Sequence, residues 1–565
     1  MQNQPPPRPI FGRASLPFAL AHGERGRFWR RGEPQVWLSA AALAGMLLLA
    51  AVLLIVIAIH GLGTFWPSAV AEFTLTDGGK LLGEEIRRET NPDDKRISLQ
   101  LKTGNREYDP QRQDFRWIRQ DAIKATSYPD EVYVLERMEN GDFYGRFHGV
   151  RGPDLTSIRS DATQALERAL ELVRRKANRE LRPIANELFA LSGELQANRD
   201  RLLRLDYRRT RQGDSQSLDR QRATLNATDR RLKEQSDRLV RRQQLLAADL
   251  RGNMAVMSDV SGNERLVPLV DVVRCYRPNA MGPVAKCLHY LKKLGELLWD
   301  NPRESNTEGG LFPAIFGTVM LIFIMAIACF PLGVLAGVYL GEYAKDGFLV
   351  RLVRIAVNNL AGIPSIVYGI FGLGFFVYGV GGLLDQWLFP ERAAVGTPTF
   401  GTGGILWASL TLGLLTVPIV IVSTEEALRA IPRATREGSF ALGATKFQTL
   451  VRVLIPLASP GMMTGFILAM ARAAGEVAPL MITGVVKLAP QLPVDGVFPY
   501  FHLDRKFMHL GFHIFDVGFQ SPNVEASKPM VFVTTLLLLT IVLAMTSVAI
   551  YLRNRMRSRY HTRTI

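Results

Sequence analysis

Arg472 and Glu476 are ionisable residues, four positions apart, within or beside a long apolar run. Residues at this spacing share one face of a helix, so their side chains are predicted to lie together. Ionisable groups at membrane depth are costly and usually face a cavity or each other. In one interpretation the pair lines an anion path, where Arg472 donates hydrogen bonds to an oxyanion and Glu476 helps to release it. In the other, the two form a structural ion pair that orders a helix bundle.

An earlier apolar run is interrupted by Gly362, Ile363 and Pro364. Broken helices are tolerated in a bilayer where they line a cavity or a partner interface. Pro364 and Ser365 are therefore candidates for the same path. A kink that serves only packing is the alternative.

A polar segment, EGSFALGATKFQTLVRVLIP, lies between two apolar runs at residues 437–456. It predicts a short helix, a glycine that allows a sharp turn, and a second helix stopped by proline. Its spacing resembles that of the cytoplasmic loop by which ABC importer permeases dock onto their ATPase: E-A-A, three residues, G, nine residues, I-x-L-P. We call residues 425–456 the docking loop. Its candidate contact residues are Glu437, Gly438, Ser439, Gly443, Ala444 and Pro456.

These residues must be positioned by membrane-spanning helices. About 20 largely apolar residues cross the hydrocarbon core. Six segments qualify: Val36–Ile59, Phe312–Tyr339, Ile355–Trp387, Gly404–Ser423, Ala458–Val486 and Pro529–Leu552. The first also resembles a signal peptide ending at Ala69-Val70-Ala71, but its apolar run is about twice the usual length.

The formal net charge of +16 is compatible with nucleic-acid binding, but we expect none. The Lys and Arg residues that flank the spans explain much of this charge, because such residues collect on the cytoplasmic side of a membrane. They occur in the leader, in the tail, and after the second and fourth spans. This pattern predicts a multi-pass protein of the bacterial inner membrane with both termini and the docking loop in the cytoplasm.

The predicted organisation has five parts. They are a basic leader (1–35), a first transmembrane helix (36–61), an extracytoplasmic insert (62–302), a core with five transmembrane helices (303–553) and a basic tail (554–565). Strand-like runs and turn signals predict one small β domain in the insert, at 71–155 plus 253–276. Leucines repeating every seven residues from Leu218 to Leu246 predict an antiparallel coiled-coil hairpin at 160–250. Residues 285–300 are amphipathic and predict a helix on the membrane surface.

Cysteine and histidine contribute little to the predicted chemistry. Cys275 and Cys287 flank a short loop and could form a disulfide if the insert is outside the cytoplasm. Three histidines, at 502, 509 and 513, have no supporting carboxylate or cysteine spacing, so no metal site is predicted. No G-x-x-x-x-G-K-[ST] motif occurs, so ATP would be hydrolysed on another chain. No cofactor is expected on this one.

Residues 308–553 resemble the PstA family, permeases of phosphate ABC transporters. Besides the docking loop, the resemblance is carried by three stretches: EGGLFPAIFGT at 308–318, LAGIPSIVYGIFGL at 360–373 and ARAAGEVAPL at 471–480. The last is similar to the family's A-R-A-x-G-E-T-A-P-L, with Val477 in place of the usual threonine. The resemblance covers a little under half of the chain.

The resemblance implies a polytopic helical permease that is not itself an enzyme. It implies a second permease subunit (PstC-like), an ATPase dimer (PstB-like) that binds ATP, and an extracytoplasmic phosphate-binding protein (PstS-like). It assigns Arg472 and Glu476 to the transport pathway. Two alternatives stay open: a permease for another oxyanion, such as molybdate or sulfate, and a membrane-anchored sensor or scaffold that acts through its insert.

Overall fold

The computed structural model describes residues 33–90, 96–108, 114–155, 162–213, 215–496, 498–521 and 524–561. The chain divides into two compact units, Met1–His60 and Gly61–Ile565. In the first unit the described residues belong to a single apolar helix. Most of the predicted leader lies outside the described residues.

The helices follow in chain order: α1 Glu33–Gly63, α2 Ala162–Gln212, α3 Gln216–Arg251, α4 Pro283–Trp299, α5 Phe312–Val338, α6 Phe348–Leu360, α7 Ser365–Phe371, α8 Gly382–Leu388, α9 Pro390–Ala394, α10 Ile405–Arg429, α11 Arg433–Ala441, α12 Lys446–Thr449, α13 Ile455–Gly475, α14 Ala478–Thr483, α15 Leu510–Phe519 and α16 Val524–His561. Wider π-helical turns extend α5 over Tyr339–Tyr343, join α7 to α8 over Gly372–Gly381, and join α12 to α13 over Leu450–Leu454.

The strands are β1 Val70–Leu75, β2 Lys80–Thr90, β3 Ile97–Lys102, β4 Phe115–Arg119, β5 Ile123–Ser127, β6 Val132–Arg137, β7 Phe143–Arg151, β8 Met254–Ser258, β9 Glu264–Pro268, β10 Val272–Tyr276, β11 Pro302–Arg303 and β12 Glu308–Gly309.

Within the described residues, six helices are long and apolar enough to cross a membrane. These first to sixth spans are Gln35–Gly63, Phe312–Tyr343, Ser365–Leu388, Ile405–Arg429, Lys446–Gly475 and Ser527–Ser558. The predicted number of spans is therefore confirmed. Three boundaries were wrong by about ten residues: the starts of the third and fifth spans, and the end of the fifth, which is Gly475 rather than Val486. The third span begins only at Ser365, because Pro364 separates it from α6. The fifth begins at Lys446, because the second helix of the docking loop continues into it.

The fourth span, α10, is the centre of the permease core and has most of its apolar residues buried. It packs against α5 and α13. Small residues allow the backbones to approach closely. A Cβ atom on Gly465 would lie 1.7 Å from the Ser423 hydroxyl, and one on Gly337 would lie 2.7 Å from the Ile421 carbonyl. Larger side chains at either glycine would push these helices apart.

The predicted β region of the insert contains two five-stranded antiparallel sheets, and residues of both sheets share a buried cluster. The first has the order β4-β3-β2-β1-β5, and the second has the order β10-β6-β7-β8-β9. Residues 71–155 supply the first sheet and the first two strands of the second. Residues 253–276 supply the rest of the second sheet. Alternation along one strand predicts which face is buried, but strand partners far apart in the chain follow only from tertiary packing.

The helical hairpin is inserted between β7 and β8, as predicted. Cross-contacts run in opposite order along α2 and α3: Arg222 pairs with Asp206 at 3.2 Å, and Arg209 pairs with Asp219 at 3.8 Å. The two helices are therefore antiparallel. The seam leucines of α3 are half-buried, and a supercoil remains a prediction. The first turns of α2 close the core of the second sheet, where Leu166 and Leu170 pack with Phe143.

The hairpin also contacts the permease core. Asp200 of α2 accepts hydrogen bonds from Arg392 of α9 at 3.1 and 2.5 Å. One helical turn along α2, Arg204 donates to Glu391 at 3.0 Å. We call these two reciprocal ion pairs the hairpin latch. They connect the insert to the loop between the third and fourth spans.

Candidate functional site

The docking loop folds as two short helices joined at Gly443. This glycine has φ +81°, in the left-handed region that favours glycine. Its N–H donates to the Phe440 carbonyl at 2.9 Å, and the Ala444 N–H donates to the Ser439 carbonyl at 3.2 Å. This pair of bonds is a Schellman motif, which ends α11 and turns the chain sharply. The predicted sharp turn is present at the predicted glycine.

The second helix begins at Thr445 with a reciprocal cap. The Thr445 hydroxyl accepts from the Gln448 N–H at 3.2 Å, and the Gln448 side chain accepts from the Thr445 N–H at 2.9 Å. This capping box satisfies N–H groups that a helix start otherwise leaves unpaired. Every backbone feature of the corner is thus encoded within residues 439–448.

Pro456 does not stop the second helix, contrary to the sequence prediction. It lies in the first turn of α13, where α12, the π-helical turn and α13 form one continuous helix. The Ile455 N–H bonds to the Leu450 carbonyl five residues back. The wider turn changes the hydrogen-bond spacing just before the proline, whose missing N–H is therefore accommodated.

The corner exposes large apolar side chains. Leu442 is 90% exposed, Phe447 is 67% exposed and Phe440 is 46% exposed. Glu437 and Gly438 are also exposed, on the same short helix. An apolar patch rimmed by polar residues is typical of a protein interaction site. The corner therefore has the exposed apolar surface that is typical of an interaction site.

Arg436 holds the docking loop against the second and fourth spans. Arg436 donates to Glu342 at 2.7 Å and to the carbonyls of Leu428 and Ile431 at 2.6 and 2.7 Å. The Ser439 and Thr449 hydroxyls lie 2.9 Å apart and join the two helices. A movement of the corner would therefore be transmitted to the spans.

A second group of charges fixes the base of the loop. Glu425 accepts from Arg354 at 2.9 Å and from Arg429 at 2.6 Å. Arg354 also donates to Asp346 at 3.1 Å and to the Leu340 carbonyl at 3.1 Å. Sequence reasoning missed the roles of Glu342, Arg354 and Glu425. All three residues are charged and lie next to apolar runs in the sequence. Charges at such positions were interpreted only as evidence of membrane topology.

Arg472 and Glu476 lie together, with 3.7 Å between Nε and Oε1. They do not share one helix face as predicted, because α13 ends at Gly475 and Glu476 is extended. Their side chains are 34% and 22% exposed, so the pair is only partly covered. The two charged side chains are in contact, but Arg472 lies in the last turn of α13 and Glu476 lies just beyond its end.

The broken third run packs against this helix end. The Tyr368 hydroxyl donates to the Leu360 carbonyl at 2.6 Å and so bridges the break at Pro364. A Cβ on Gly369 would lie 2.7 Å from the Pro479 Cα, so this position has no room for a side chain and requires glycine. Tyr368, Ala473 and Leu480 share one buried cluster with Ile363. Two motifs 110 residues apart thus form one contact region; Pro364 itself is exposed and Ser365 is half-buried.

The docking and pathway residues are not brought together. Pro456 and Arg472 lie 16 residues apart within the fifth span, about 24 Å at 1.5 Å per residue. The fifth span therefore connects the docking corner to the Arg472–Glu476 pair. Any communication between them runs along one continuous helix.

The proposed disulfide between Cys275 and Cys287 is not formed, since both thiols are free. Cys275 packs against the core of the second sheet, where burial raises its pKa to about 11. Cys287 is exposed on α4. Their side chains face different surroundings, which sequence spacing did not reveal.

The three histidines have separate partners. His502 contacts Asp495 at 3.0 Å. The ring of His509 accepts from the Gly511 N–H at 3.1 Å, and His513 lies 3.3 Å from the Thr534 hydroxyl. No group of three His, Cys, Asp or Glu residues with metal-binding geometry occurs in the described part of the chain.

The comparisons with known proteins concern the permease core. Residues 329–558 match the family model described as "Binding-protein-dependent transport system inner membrane component". A Bacillus subtilis protein named "Probable ABC transporter permease protein YqgI" is 32% identical over 225 residues, which are 39% of this chain and 70% of that protein. This chain belongs to the family of binding-protein-dependent transport system inner membrane components. The family match leaves the insert outside it.

Relatives of this family member include a protein from Methanocaldococcus jannaschii named "Probable phosphate transport system permease protein PstA". It is 34% identical over 193 residues, which are 34% of this chain and 61% of that protein. The chain thus spans about three fifths of that relative's length. A solved structure of the MetNI methionine ABC transporter, with inward-facing conformations, is similar to 44% of this chain and 94% of its own, at 21% identity and TM-score 0.30.

Proposed function

We propose that this chain is a permease subunit of an ATP-driven importer of inorganic phosphate. It forms half of the transmembrane pathway and couples to a separate ATPase through the docking loop. The observation that carries the proposal is the α11–Gly443–α12 corner. It exposes Leu442 almost completely, and Arg436 fixes it to the second span by an ion pair with Glu342 and to the end of the fourth span by hydrogen bonds to carbonyls. A corner with no partner would be expected to bury such a side chain.

The coupling depends on contacts between the docking loop and the ATPase that differ between the states of the ATPase. ATP binding closes the ATPase subunits and moves the docking corner. Arg436 passes the movement to the second span through Glu342, and the continuous helix from Lys446 to Gly475 passes it to Arg472. The pathway alternates between inward and outward access, because nucleotide stabilises one state over the other.

The proposed substrate is an oxyanion because a guanidinium donates hydrogen bonds to such oxygens in a planar fork. Arg472 is partly exposed beside the helix break and is the candidate ligand. Phosphate is favoured because a relative at 34% identity is named a probable phosphate permease. Molybdate and sulfate have similar chemistry and are the alternatives.

The proposed assembly contains a second, PstC-like permease and a PstB-like ATPase dimer. A PstS-like binding protein delivers the anion outside the cytoplasm. Both termini and the docking loop face the cytoplasm, and the insert faces the periplasm. This topology rests on the Lys and Arg residues that flank the spans. Cys scanning with a membrane-impermeant thiol reagent tests it, and labelling of the hairpin only in broken cells would contradict it.

The function is tested by uptake of radiolabelled phosphate at low concentration, in cells that lack other phosphate importers. Deletion of the chain should abolish uptake, and the wild type should restore it. Gly443→Trp should insert normally but fail to restore uptake or to retain the ATPase on purification. The matched control is Gly213→Trp in the hairpin turn, where φ is +82° and the surroundings are equally open.

Different failures have different meanings. Normal uptake by Gly443→Trp would contradict coupling through this loop. Loss of molybdate or sulfate uptake, with phosphate uptake intact, would move the proposal to that anion. Intact uptake of all three anions after deletion, with loss of a phosphate-starvation response, would favour the sensor or scaffold alternative.

A further inference from the structure

Helix α4 packs on the protein with its polar face inward. His289 and Glu296 are almost completely buried, and Lys293 is mostly covered. These side chains meet charged groups of the second sheet: Lys293 lies 2.6 Å from Glu136, and Arg274 lies 3.1 Å from Glu296. The inner face is therefore held by ion pairs.

A third ion pair links this cluster to the start of the permease core. Arg303, in the short strand β11, contacts Glu296 directly. Its side chain is 9% exposed and that of Glu296 is 5% exposed. Breaking a buried ion pair leaves an uncompensated charge, which is strongly unfavourable. The inward orientation of the polar face is consequently well determined.

The outer face of α4 is apolar and uncovered within the described residues. At 100° per residue its members fall within an arc of about 120° that contains no charged side chain. The exposed members are Val284 (83%), Leu288 (55%), Leu291 (62%), Leu298 (41%), Trp299 (75%) and the thiol of Cys287. We call these six residues the apolar stripe. A helix in water would have the opposite arrangement, with its apolar face inward.

Two contacts locate α4 at the ends of membrane spans. At its C-terminus, Trp299 stacks on Phe312, the first residue of the second span, with 6.1 Å between ring centroids. In its middle, Tyr290 lies 6.2 Å from Trp66, three residues after the end of the first span. Span ends mark the boundary of the hydrocarbon core, so α4 runs along that boundary rather than away from it. Trp and Tyr are enriched at this depth.

We propose that α4 is a membrane-surface anchor whose apolar stripe inserts into the outermost acyl-chain region of the bilayer. The occupant is lipid rather than protein, because the stripe continues the lipid boundary marked by Phe312 and is flanked by the cation Lys292, which suits anionic headgroups. Such helices lie with their apolar face about 5–10 Å into the headgroup and acyl boundary. The buried ion pairs then fix the height of the second sheet above the membrane. This inference is independent of the transported substrate.

Cys287 provides the test, because it is an exposed thiol in the stripe while Cys329 is buried and Cys275 is half-buried. The whole protein in nanodiscs is labelled at Cys287 with a polarity-sensitive fluorophore. We expect emission shifted to shorter wavelength, weak quenching by aqueous iodide, and strong quenching by lipids with a nitroxide on the acyl chain. The matched control carries Cys287→Ser and Gln235→Cys, which moves the label to the exposed surface of α3. It should show the reverse.

Three outcomes overturn the proposal. A label at Cys287 that iodide quenches as strongly as the control would put the stripe in water. A label protected from both quenchers would indicate that a protein covers the stripe. Acyl-chain quenching at Cys287 that is no stronger than at the control position would show that the stripe does not enter the acyl-chain region. Replacing Leu288 by glutamate is a second variant: it should increase hydrogen exchange of α4 in nanodiscs, whereas Gln235→Glu should leave α3 unchanged.

Discussion

At the residue scale, Gly443 is the residue whose identity the backbone dictates. A φ of +81° costs a residue with a Cβ about 1 kcal/mol or more, and β-branched residues are disfavoured there most. The open surroundings of Gly443 mean that strain, rather than a clash within this chain, sets the cost of a small side chain. A large side chain would instead obstruct whatever docks at the corner.

This distinction gives a graded prediction for Gly443. Gly443→Asn should retain most uptake because asparagine tolerates the left-handed region, whereas Gly443→Val should lose much more. The measurements are the uptake at equal amounts of permease in the membrane and the amount of ATPase retained on purification. Equal loss for the two variants would mean that backbone strain does not control docking.

Arg472 gives a second prediction at this scale. Arg472→Gln should lower uptake by about tenfold or more, since a hydrogen bond to a charged group contributes about 1.5–3 kcal/mol. Assembly with the ATPase should be unchanged. If the pair is only structural, the swapped variant Arg472→Glu with Glu476→Arg should restore uptake. If Arg472 binds the anion, the swap should fail.

At the element scale, Arg436 attaches helix α11 to the membrane spans. Arg436 bonds to the second span and to two carbonyls at the end of α10. Arg433 is on the same helix, is exposed, and has no ion-pair partner among the described residues. Arg436→Gln should therefore increase hydrogen exchange across 433–445 and reduce ATP-coupled uptake, while Arg433→Gln should do neither. Unchanged exchange in Arg436→Gln would contradict the transmission route.

The docking of α4 onto the second sheet should depend on pH. Burial, assisted by Arg274 and Lys293, lowers the pKa of His289 to about 4, from an ordinary value of 6.5. Between these values the unfolded helix binds more protons than the docked one, so docking weakens as pH falls from 6.5 to 4. Burial and Asp142 raise the pKa of Glu308 to about 7. The folded state therefore binds the proton of Glu308 more readily than the unfolded state, so this group stabilises the folded state as pH falls, opposite to the effect of His289.

His289→Gln isolates the histidine contribution. Local hydrogen exchange of α4 in the wild type should rise more steeply between pH 6.5 and 4 than in His289→Gln. Parallel profiles for the two proteins would show that His289 does not titrate in this range.

At the scale of the whole molecule, the insert is tied to the permease at two distant places: the ion-pair cluster of α4 and the hairpin latch. The latch pairs are reciprocal, with an acid and a base on each side. Asp200→Arg should release α2 from α9, and the added change Arg392→Asp should restore the contact. Crosslinking between cysteines placed in the two helices measures this. Retained crosslinking in Asp200→Arg alone would mean that the latch charges do not hold the hairpin.

The sequence determined the local features of this protein. Apolar runs of sufficient length predicted six spans, since desolvation of the backbone leaves few other solutions in a bilayer. The docking corner was equally predictable, because its Schellman motif and capping box involve only residues 439–448. Leucine spacing indicated the hairpin for the same reason of local periodicity.

Tertiary structure alone decided features that depend on distant partners. The arrangement of the strands in two sheets could not be read from the sequence, because strand pairing joins residues up to 142 positions apart in the chain. The Cys275–Cys287 pair was wrong because packing, not spacing, sets where each thiol lies. The ends of the third and fifth spans moved because Pro364 and the π-helical turn act on backbone hydrogen bonds that hydropathy does not register. The polar face of α4 points inward because charged partners in the second sheet compensate its burial, and that compensation exists only once the chain has folded.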